Sequence, residues 1–186
     1  YAEYTTVFEN GKELDDIAKQ FELIQKHATD PKTGLLYHGW DESKAMPWAN
    51  KETGLSPNFW GRAMGWYGMA LVDVLDNFPK NHPKRKELIA ILNRFAVATQ
   101  KVQDAKTGLW YDILNLPKEK GNYVEASASA MFVCATAKAV RLGLLPTSYL
   151  ALATKGYDGI VKQFIRKDDK GYTNLEGTVS VSGLGG

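Results

Sequence analysis

The fold is set by a turn sequence that occurs twice, Asp-Pro-Lys-Thr-Gly-Leu-Leu-Tyr at residues 30–37 and Asp-Ala-Lys-Thr-Gly-Leu-Trp-Tyr at residues 104–111. A weaker copy, Asp-Asp-Lys-Gly-Tyr, occupies residues 168–172. An Asp side chain accepts hydrogen bonds from the backbone that follows it, and Gly adopts a positive φ without strain, so each copy predicts a tight turn. The copies begin 74 and then 64 residues apart, which is typical of a repeated structural unit.

Helical periodicity fills the sequence between these turns. Near the N-terminus, apolar residues recur every three or four positions, as they do on one face of a helix: Leu14, Ile17, Phe21 and Ile24. Similar patterns predict helices over residues 9–29, 60–77, 83–103, 125–142 and 147–166. No segment alternates between apolar and polar residues for long, so we expect strands only as short pairs in the loops.

The predicted helices are of two kinds. The second and fourth carry few charges, which predicts an inner position packed on all sides, whereas the first, third and fifth have one charged face and are expected outside. A turn, an inner helix and an outer helix would form a unit of about 65–75 residues that needs neighbouring units to bury its faces. We therefore expect an all-α fold, a single domain over residues 1–186 that makes roughly half of an (α/α)6 toroid.

The composition is that of an ordinary globular chain, with 44% hydrophobic residues, 24% charged residues and a formal net charge of +2. This charge gives no reason to expect nucleic acid as a partner, and no apolar run approaches the ~20 residues needed to cross a membrane. The lone Cys134 lies among apolar residues and is expected to be buried. Both a cytoplasmic and a periplasmic location stay open.

Tryptophan is the unusual feature, because the five Trp residues fall in or beside predicted loops. Core packing explains most aromatic side chains, but indoles at loops also form platforms on which sugar rings stack. Trp60 and Trp66 flank the start of the second predicted helix and are the first candidates for such a platform. Trp40 and Trp110 are further candidates.

Arg62 lies in the first turn of an apolar predicted helix, where the helix dipole disfavours a cation unless an anion holds it. The anion could be a carboxylate from another helix, or the carboxylate of a ligand gripped by two N–H groups. His38 could be a hydrogen-bonded loop residue, or it could bind a sugar hydroxyl and assist proton transfer. Asp41 and Glu125 are candidate site carboxylates, although a Glu in a first helical turn is also an ordinary partner of the dipole.

Three segments, in order, carry a family resemblance: Tyr-His-Gly-Trp-Asp at residues 37–41, Phe-Trp-Gly-Arg-Ala-Met-Gly-Trp at 59–66, and Gly-Asn-Tyr-Val-Glu-Ala-Ser-Ala-Ser-Ala-Met at 121–131. The closing Gly-Thr-Val-Ser-Val-Ser-Gly-Leu-Gly-Gly at 177–186 fits the same pattern. With these motifs the chain resembles the unsaturated rhamnogalacturonyl hydrolases, which are relatives of the unsaturated glucuronyl hydrolases. The resemblance implies a six-hairpin α/α toroid, in agreement with the repeat spacing.

The resemblance also implies a chemistry. Such enzymes act on pectin-derived oligosaccharides that carry an unsaturated galacturonosyl residue on rhamnose. An aspartic acid protonates the double bond, water adds at C5, and the resulting hemiketal collapses and releases the other sugar, with no metal or cofactor. By motif, His38 and Arg62 would contact the substrate, while Trp60 and Trp66 would line the pocket.

The resemblance places the general-acid Asp in a segment expected upstream of Tyr1, and no Asp of this chain matches it. Because a general acid typically contributes ~10²–10⁴-fold to the rate, we expect these 186 residues to be inactive or nearly so. Two other classes stay open: a sugar-binding or degenerate toroid protein without catalysis, and an inverting glycosidase with two carboxylates. A half ring would also expose apolar faces of its inner helices, which predicts self-association or pairing with a further polypeptide segment.

Overall fold

A computed structural model describes residues 1–183, and the part of the predicted C-terminal motif at residues 184–186 lies outside them. Within the described residues there are six α-helices: Ala2–Phe8 (α1), Leu14–Ala28 (α2), Gly61–Asn77 (α3), Arg85–Lys101 (α4), Ala126–Arg141 (α5) and Leu150–Phe164 (α6). A 3-10 turn at Thr147–Tyr149 precedes α6. Two short antiparallel strands follow it, Ile165–Lys167 (β1) and Thr173–Leu175 (β2), with Arg166 opposite Asn174.

The predicted helices correspond to α2–α6, but the sequence pattern missed α1. The chain breaks between α1 and α2 because Asn10 and Gly11 take positive φ values of 52° and 74°. Thr5 closes this break, since its carbonyl oxygen accepts the Gly11 N–H at 2.8 Å and its hydroxyl accepts the Glu13 N–H at 3.1 Å. Residues 9–13 are therefore a turn and not the start of the first predicted helix.

The repeated turn has the same geometry in both strong copies. The Asp30 carboxylate accepts the N–H and the hydroxyl of Thr33 at 3.0 and 2.6 Å. The Asp104 carboxylate accepts the same two groups of Thr107, at 2.7 Å each. The next glycine has a φ of 78° in the first copy and 76° in the second. The weaker copy at residues 168–172 is a turn as well, so all three predicted turns are confirmed.

The helices form an arc in which α3 and α5 lie side by side. On the outside, α4 packs on α3, α6 packs on α5, and α2 contacts α4. The two central helices approach closely because α3 presents glycines to α5: a Cβ at Gly61 would lie 3.0 Å from the Cβ of Ala128, and one at Gly65 would lie 2.9 Å from that of Met131. Within residues 1–183, no helix combines the length and the apolar character needed to cross a membrane.

The two central helices are not packed on all sides, contrary to the prediction. Each has one exposed stripe of residues three or four positions apart, which we call the bare stripe: Trp66, Ala70 and Asp73 on α3, and Ala130 and Cys134 on α5. The prediction that Cys134 is buried is therefore wrong. Its apolar sequence neighbours pack against other helices, whereas the thiol lies on the open face.

Packing of α6 against the second repeated turn generates a stability prediction. A Cβ added at Gly159 would lie 2.3 Å from the carbonyl oxygen of Thr107 and 3.0 Å from Cδ2 of Leu109. We expect Gly159→Ala to lower the free energy of unfolding by about 1–3 kcal/mol, because this overlap outweighs the gain in helix propensity. Chemical denaturation measures the change. Gly183→Ala is the control, since no atom lies within 4 Å of its added Cβ; equal losses in both variants would contradict the packing explanation.

Exposed apolar side chains on α2 and α3 generate a second prediction. Leu23, Ile24 and Trp66 are exposed to 39, 43 and 60% and line one groove. Because contiguous apolar surface of this kind usually marks an interaction site, we expect the 186-residue chain to self-associate. Light scattering over a dilution series would detect dimers that Ile24→Lys weakens. A monomer at every concentration would contradict this expectation.

Candidate functional site

The loops that lead into α3 and α5 are joined at one end of the arc. One antiparallel bridge, between Trp60 and Ile113, connects them, while the bridges Trp40–Leu55 and Tyr111–Val124 each close one loop on itself. The N–H of Gly61, the first residue of α3, donates to the carbonyl oxygen of Asp112 at 2.8 Å. As a result the starts of both central helices lie close together, with the predicted site residues around them.

The loop before α3 contains a further copy of the repeated turn, which the sequence analysis missed. The Asn50 side-chain oxygen accepts the Thr53 N–H at 2.9 Å, and the Gly54 N–H donates to the Asn50 carbonyl oxygen at 2.7 Å. Gly54 has a φ of 77°, and a Cβ there would lie 2.2 Å from the carbonyl oxygen of Asp41. The available signal was Asn-Lys-Glu-Thr-Gly-Leu at residues 50–55, in which Asn replaces Asp.

His38 lies flat on Trp60, with ring centroids 3.8 Å apart and planes 10° from parallel. Its Nδ1 is 2.7 Å from the carbonyl oxygen of Asn58. Since a carbonyl oxygen only accepts, Nδ1 carries a proton, and Nε2 of the neutral ring is then an acceptor. Burial lowers the pKa of His38, and the bond to Asn58 opposes this shift without reversing it. The ring is therefore an oriented hydrogen-bond acceptor at neutral pH.

His38, Trp40 and Trp66 line a groove of about 650 Å³ between α2, α3 and the loop that follows α2. Trp40 is fixed on the groove wall, because its ring stacks on His27 at 4.0 Å and its Nε1 donates to the Thr53 carbonyl oxygen at 3.2 Å. The structure thus brings these three predicted residues into one groove. Within residues 1–183, no three His, Cys, Asp or Glu side chains lie close enough together to share a metal ion.

Arg62 lies in the first turn of α3 and reaches across to α5. Its Nη1 donates to the hydroxyl oxygen of Ser127 at 2.8 Å. That hydroxyl in turn lies 2.9 and 2.8 Å from the two carboxylate oxygens of Glu125. A carboxylate at the start of another helix is therefore connected to Arg62, but Glu125 reaches Arg62 through the Ser127 hydroxyl and not by direct contact.

Glu125 caps the N-terminus of α5, which is the ordinary role for a Glu at this position. Its side chain is fully buried and accepts the N–H groups of Ser127 and Ala128, at 3.1 and 2.6 Å. It also accepts the N–H of Val179, at 3.0 Å, from the segment after β2. A carboxylate enclosed in this way cannot contact a substrate, so Glu125 is not a site carboxylate in the predicted sense.

Trp110 and Asp41 also have structural positions. Trp110 is fully buried and its Nε1 donates to the Thr99 carbonyl oxygen at 2.9 Å, so the prediction that it belongs to a sugar platform is wrong. Asp41 accepts the Met46 N–H at 2.9 Å, and hydrogen bonds from Met46 and from Ser43 hold the pKa of Asp41 below its usual value. Asp41 thereby orders the turn that follows Trp40.

Asp112 is a charged side chain near the site that the sequence analysis missed. Burial raises its pKa, the negative charge of Glu125 raises it further, and the positive charge of Arg62 opposes both effects. Its backbone is fixed on both sides, because its carbonyl oxygen accepts the Gly61 N–H and its N–H donates to the Tyr123 carbonyl oxygen. The available signal was an acidic residue directly after the second repeated turn.

Comparison with known proteins gives the class of this molecule. The sequence pattern of Glycosyl Hydrolase Family 88 matches residues 1–186. Protein Atu3128 of Agrobacterium fabrum is 36% identical over 177 residues, which are 93% of this chain and 75% of that protein. Unsaturated rhamnogalacturonyl hydrolase YesR of Bacillus subtilis is 34% identical over 124 residues, which are 67% of this chain and 33% of that protein.

A solved structure agrees with this class. A glycoside hydrolase from family 105 of C. acetobutylicum ATCC 824 has a TM-score of 0.96 and 52% identity, over 100% of this chain and 52% of that one. The fold is therefore a partial α/α toroid of the glycoside hydrolase class, as predicted. The chain belongs to Glycosyl Hydrolase Family 88. It spans about half the length of the solved hydrolase and a third of the Bacillus protein.

The lowered pKa of His38 makes a prediction about pH. The folded ring binds its proton less tightly than the unfolded ring, so folding is favoured when the ring is neutral. This contribution to the free energy of unfolding is fully present above the unfolded pKa of 6.5. It is lost as the pH falls through the lower pKa of the folded state. An NMR titration of the His38 Cε1 proton should have its midpoint below 6.5. Trp60→Leu, which uncovers the ring, should raise that midpoint. A wild-type midpoint at or above the unfolded value would contradict the burial explanation.

Proposed function

We propose that this chain carries the sugar-acid binding part of a glycoside hydrolase that acts on unsaturated galacturonosyl-rhamnose oligosaccharides from pectin. One observation supports this most: His38, Trp40 and Trp66 line one groove along α3, the helix whose first turn carries the Arg62 guanidinium. Arg62 uses one N–H for Ser127, and a guanidinium has five. Those that remain suit the two oxygens of a uronate, which an Arg side chain binds through parallel hydrogen bonds.

The groove between α2 and α3, which Arg62 itself does not line, supplies the other contacts that a sugar ring needs. Trp66 is exposed to 60% on the groove wall and offers a flat apolar face. Nε2 of His38 can accept a hydrogen bond from a sugar hydroxyl, because Nδ1 is committed to Asn58. Trp60 stacks on His38 and thereby keeps the plane of the imidazole ring fixed.

The reaction that fits such a substrate is hydration of its C4=C5 double bond. An aspartic acid donates a proton to the double bond, water adds at C5, and the hemiketal opens and releases the rhamnose-containing remainder. This path differs from displacement by paired carboxylates at the anomeric carbon. Among the described residues that line the groove there is no Asp or Glu. The family motif, which no Asp of this chain matches, supports a proton donor outside these 186 residues, and we expect the 186 residues to bind substrate with little or no turnover.

The same observation supports one alternative function. A groove that is lined by aromatic rings and by no Asp or Glu also suits a degenerate toroid that binds sugar acids without hydrolysing them. The two proposals differ in whether a longer polypeptide that contains this chain consumes the double bond. The ultraviolet absorbance of the conjugated uronate decides between them, because hydration removes it.

The test uses unsaturated galacturonosyl-rhamnose, with calorimetry for binding and absorbance for turnover. We expect the 186-residue chain to bind the disaccharide, and a longer polypeptide that includes it to remove the absorbance. Arg62→Ala should weaken binding by ~1–3 kcal/mol, because a charge-assisted hydrogen bond to the uronate is lost. Arg94→Ala is the matched control, since Arg94 pairs with Glu87 on α4, an outer helix. Unchanged affinity in Arg62→Ala would remove the uronate from the proposal, and binding without absorbance loss would favour the non-catalytic alternative.

A further inference from the structure

The hydrogen bonds behind Arg62 end in a buried carboxylate. Glu125 is 0% exposed, which is costly for a charge unless donors surround it. Both oxygens are supplied: one accepts the N–H groups of Ser127 and Val179, the other accepts the N–H of Ala128, and the Ser127 hydroxyl is within 2.9 Å of each. More donors converge here than a helix cap alone requires. The Val179 N–H comes from the segment after β2, and the Ser127 hydroxyl also accepts a hydrogen bond from Arg62 on α3.

Ser127 transmits the position of this carboxylate to Arg62. An ionised carboxylate only accepts hydrogen bonds, so the single hydroxyl proton of Ser127 must point to Glu125. The hydroxyl oxygen then presents its lone pairs to Arg62, whose Nη1 donates to it at 2.8 Å. The direction of each bond is fixed, from Arg62 to Ser127 to Glu125. Without the carboxylate the hydroxyl would be free to rotate and could turn its proton toward the guanidinium.

We propose that Glu125, acting through Ser127, is a positioning residue that holds the Arg62 guanidinium in place for a substrate carboxylate, an inference that rests on the proposed function for its ligand. A guanidinium that is already oriented loses less conformational entropy when it binds a uronate. Removing one hydrogen bond of this kind is expected to weaken binding of the acid by about tenfold. Neither Glu125 nor Ser127 needs to touch the substrate for this effect.

The same carboxylate connects the segment after β2 to Arg62. Val179 donates its N–H to Glu125 at 3.0 Å, and the Ala126 N–H donates to the Gly177 carbonyl oxygen at 2.9 Å. Gly177 makes this crossing with a φ of 71°, and a Cβ there would lie 2.7 Å from the ring of Phe164. Residues 177–179 therefore run across the start of α5, and the order of the Val179 amide depends on the carboxylate that also holds Ser127.

The first experiment measures the order of Arg62 without any ligand. Nitrogen relaxation of the Arg62 Nε–H group should show greater mobility in Ser127→Ala than in the wild type. Ser129→Ala is the matched control, because Ser129 lies two residues further along α5 and its hydroxyl oxygen accepts the backbone N–H of Trp110 at 3.1 Å. We expect that control to lower stability and to leave the mobility of Arg62 unchanged. Unchanged mobility of Arg62 in Ser127→Ala would overturn the inference.

The second experiment compares the unsaturated disaccharide with its methyl ester. Ser127→Ala should weaken binding of the acid by about tenfold and leave binding of the ester as it is in the wild type, because only the acid uses the oriented guanidinium. In an Arg62→Ala background the same serine substitution should have no further effect. If Arg62→Ala weakens binding of the acid and Ser127→Ala does not, the positioning role is overturned. If Arg62→Ala itself has no effect, the proposed function fails, and the mobility of Arg62 still decides the positioning role.

A third measurement tests the connection to residues 177–179. Glu125→Ala should accelerate hydrogen exchange of the Val179 amide, whereas the amide of Leu92 in α4 stays protected and shows that the chain is folded. Unchanged exchange at Val179 would overturn this part of the inference. Should Glu125→Ala not fold, the relaxation and binding measurements on Ser127→Ala decide the outcome.

Discussion

The close approach of α3 and α5 is the constraint on which the rest of the structure depends. Gly61 and Gly65 let the two helices come so near that an added Cβ at Gly61 would be 2.9 Å from the Tyr111 carbonyl oxygen and 3.0 Å from Ala128. Because both helices begin at the same end of the arc, this contact also determines what a first-turn side chain can reach. Arg62 extends from one helix start to the other and finds Ser127. Larger residues along the contact would separate the helices and leave this cation without its partner.

The arc itself could be predicted from the sequence because its signals are local. An Asp that accepts from a Thr three residues later, followed by Gly, has only one good conformation, and it recurs at residues 30–37 and 104–111. The helices between these turns are long enough for periodicity to be clear. The helix α1 was missed because Ala2–Phe8 is seven residues long, with neighbouring β-branched residues that favour helix only weakly. The turn at Asn50 has a weaker sequence signal, because Asn occupies the position that Asp holds in the other copies.

The site was predictable only where a motif marked it. His38 and Trp60 do come together, although 22 residues of sequence separate them, because the intervening loop closes on itself. The prediction that Trp110 belongs to a sugar platform was wrong because proximity to a turn does not reveal which way a side chain points. In this copy of the turn the indole fills the core. Ser127 carries no signal of its own, since serines are common near helix starts. Its importance comes from a contact across 65 residues of sequence, which only the packed helices reveal.

The bare stripe on α5 has a practical consequence. Cys134 is the sole cysteine of the chain, and it lies exposed on that stripe. A maleimide fluorophore or a nitroxide can therefore be attached at one defined position of the natural sequence, on the open face of a central helix. A probe at that point would sense whatever approaches this face in solution, through quenching or spin broadening, without a single engineered residue in the molecule.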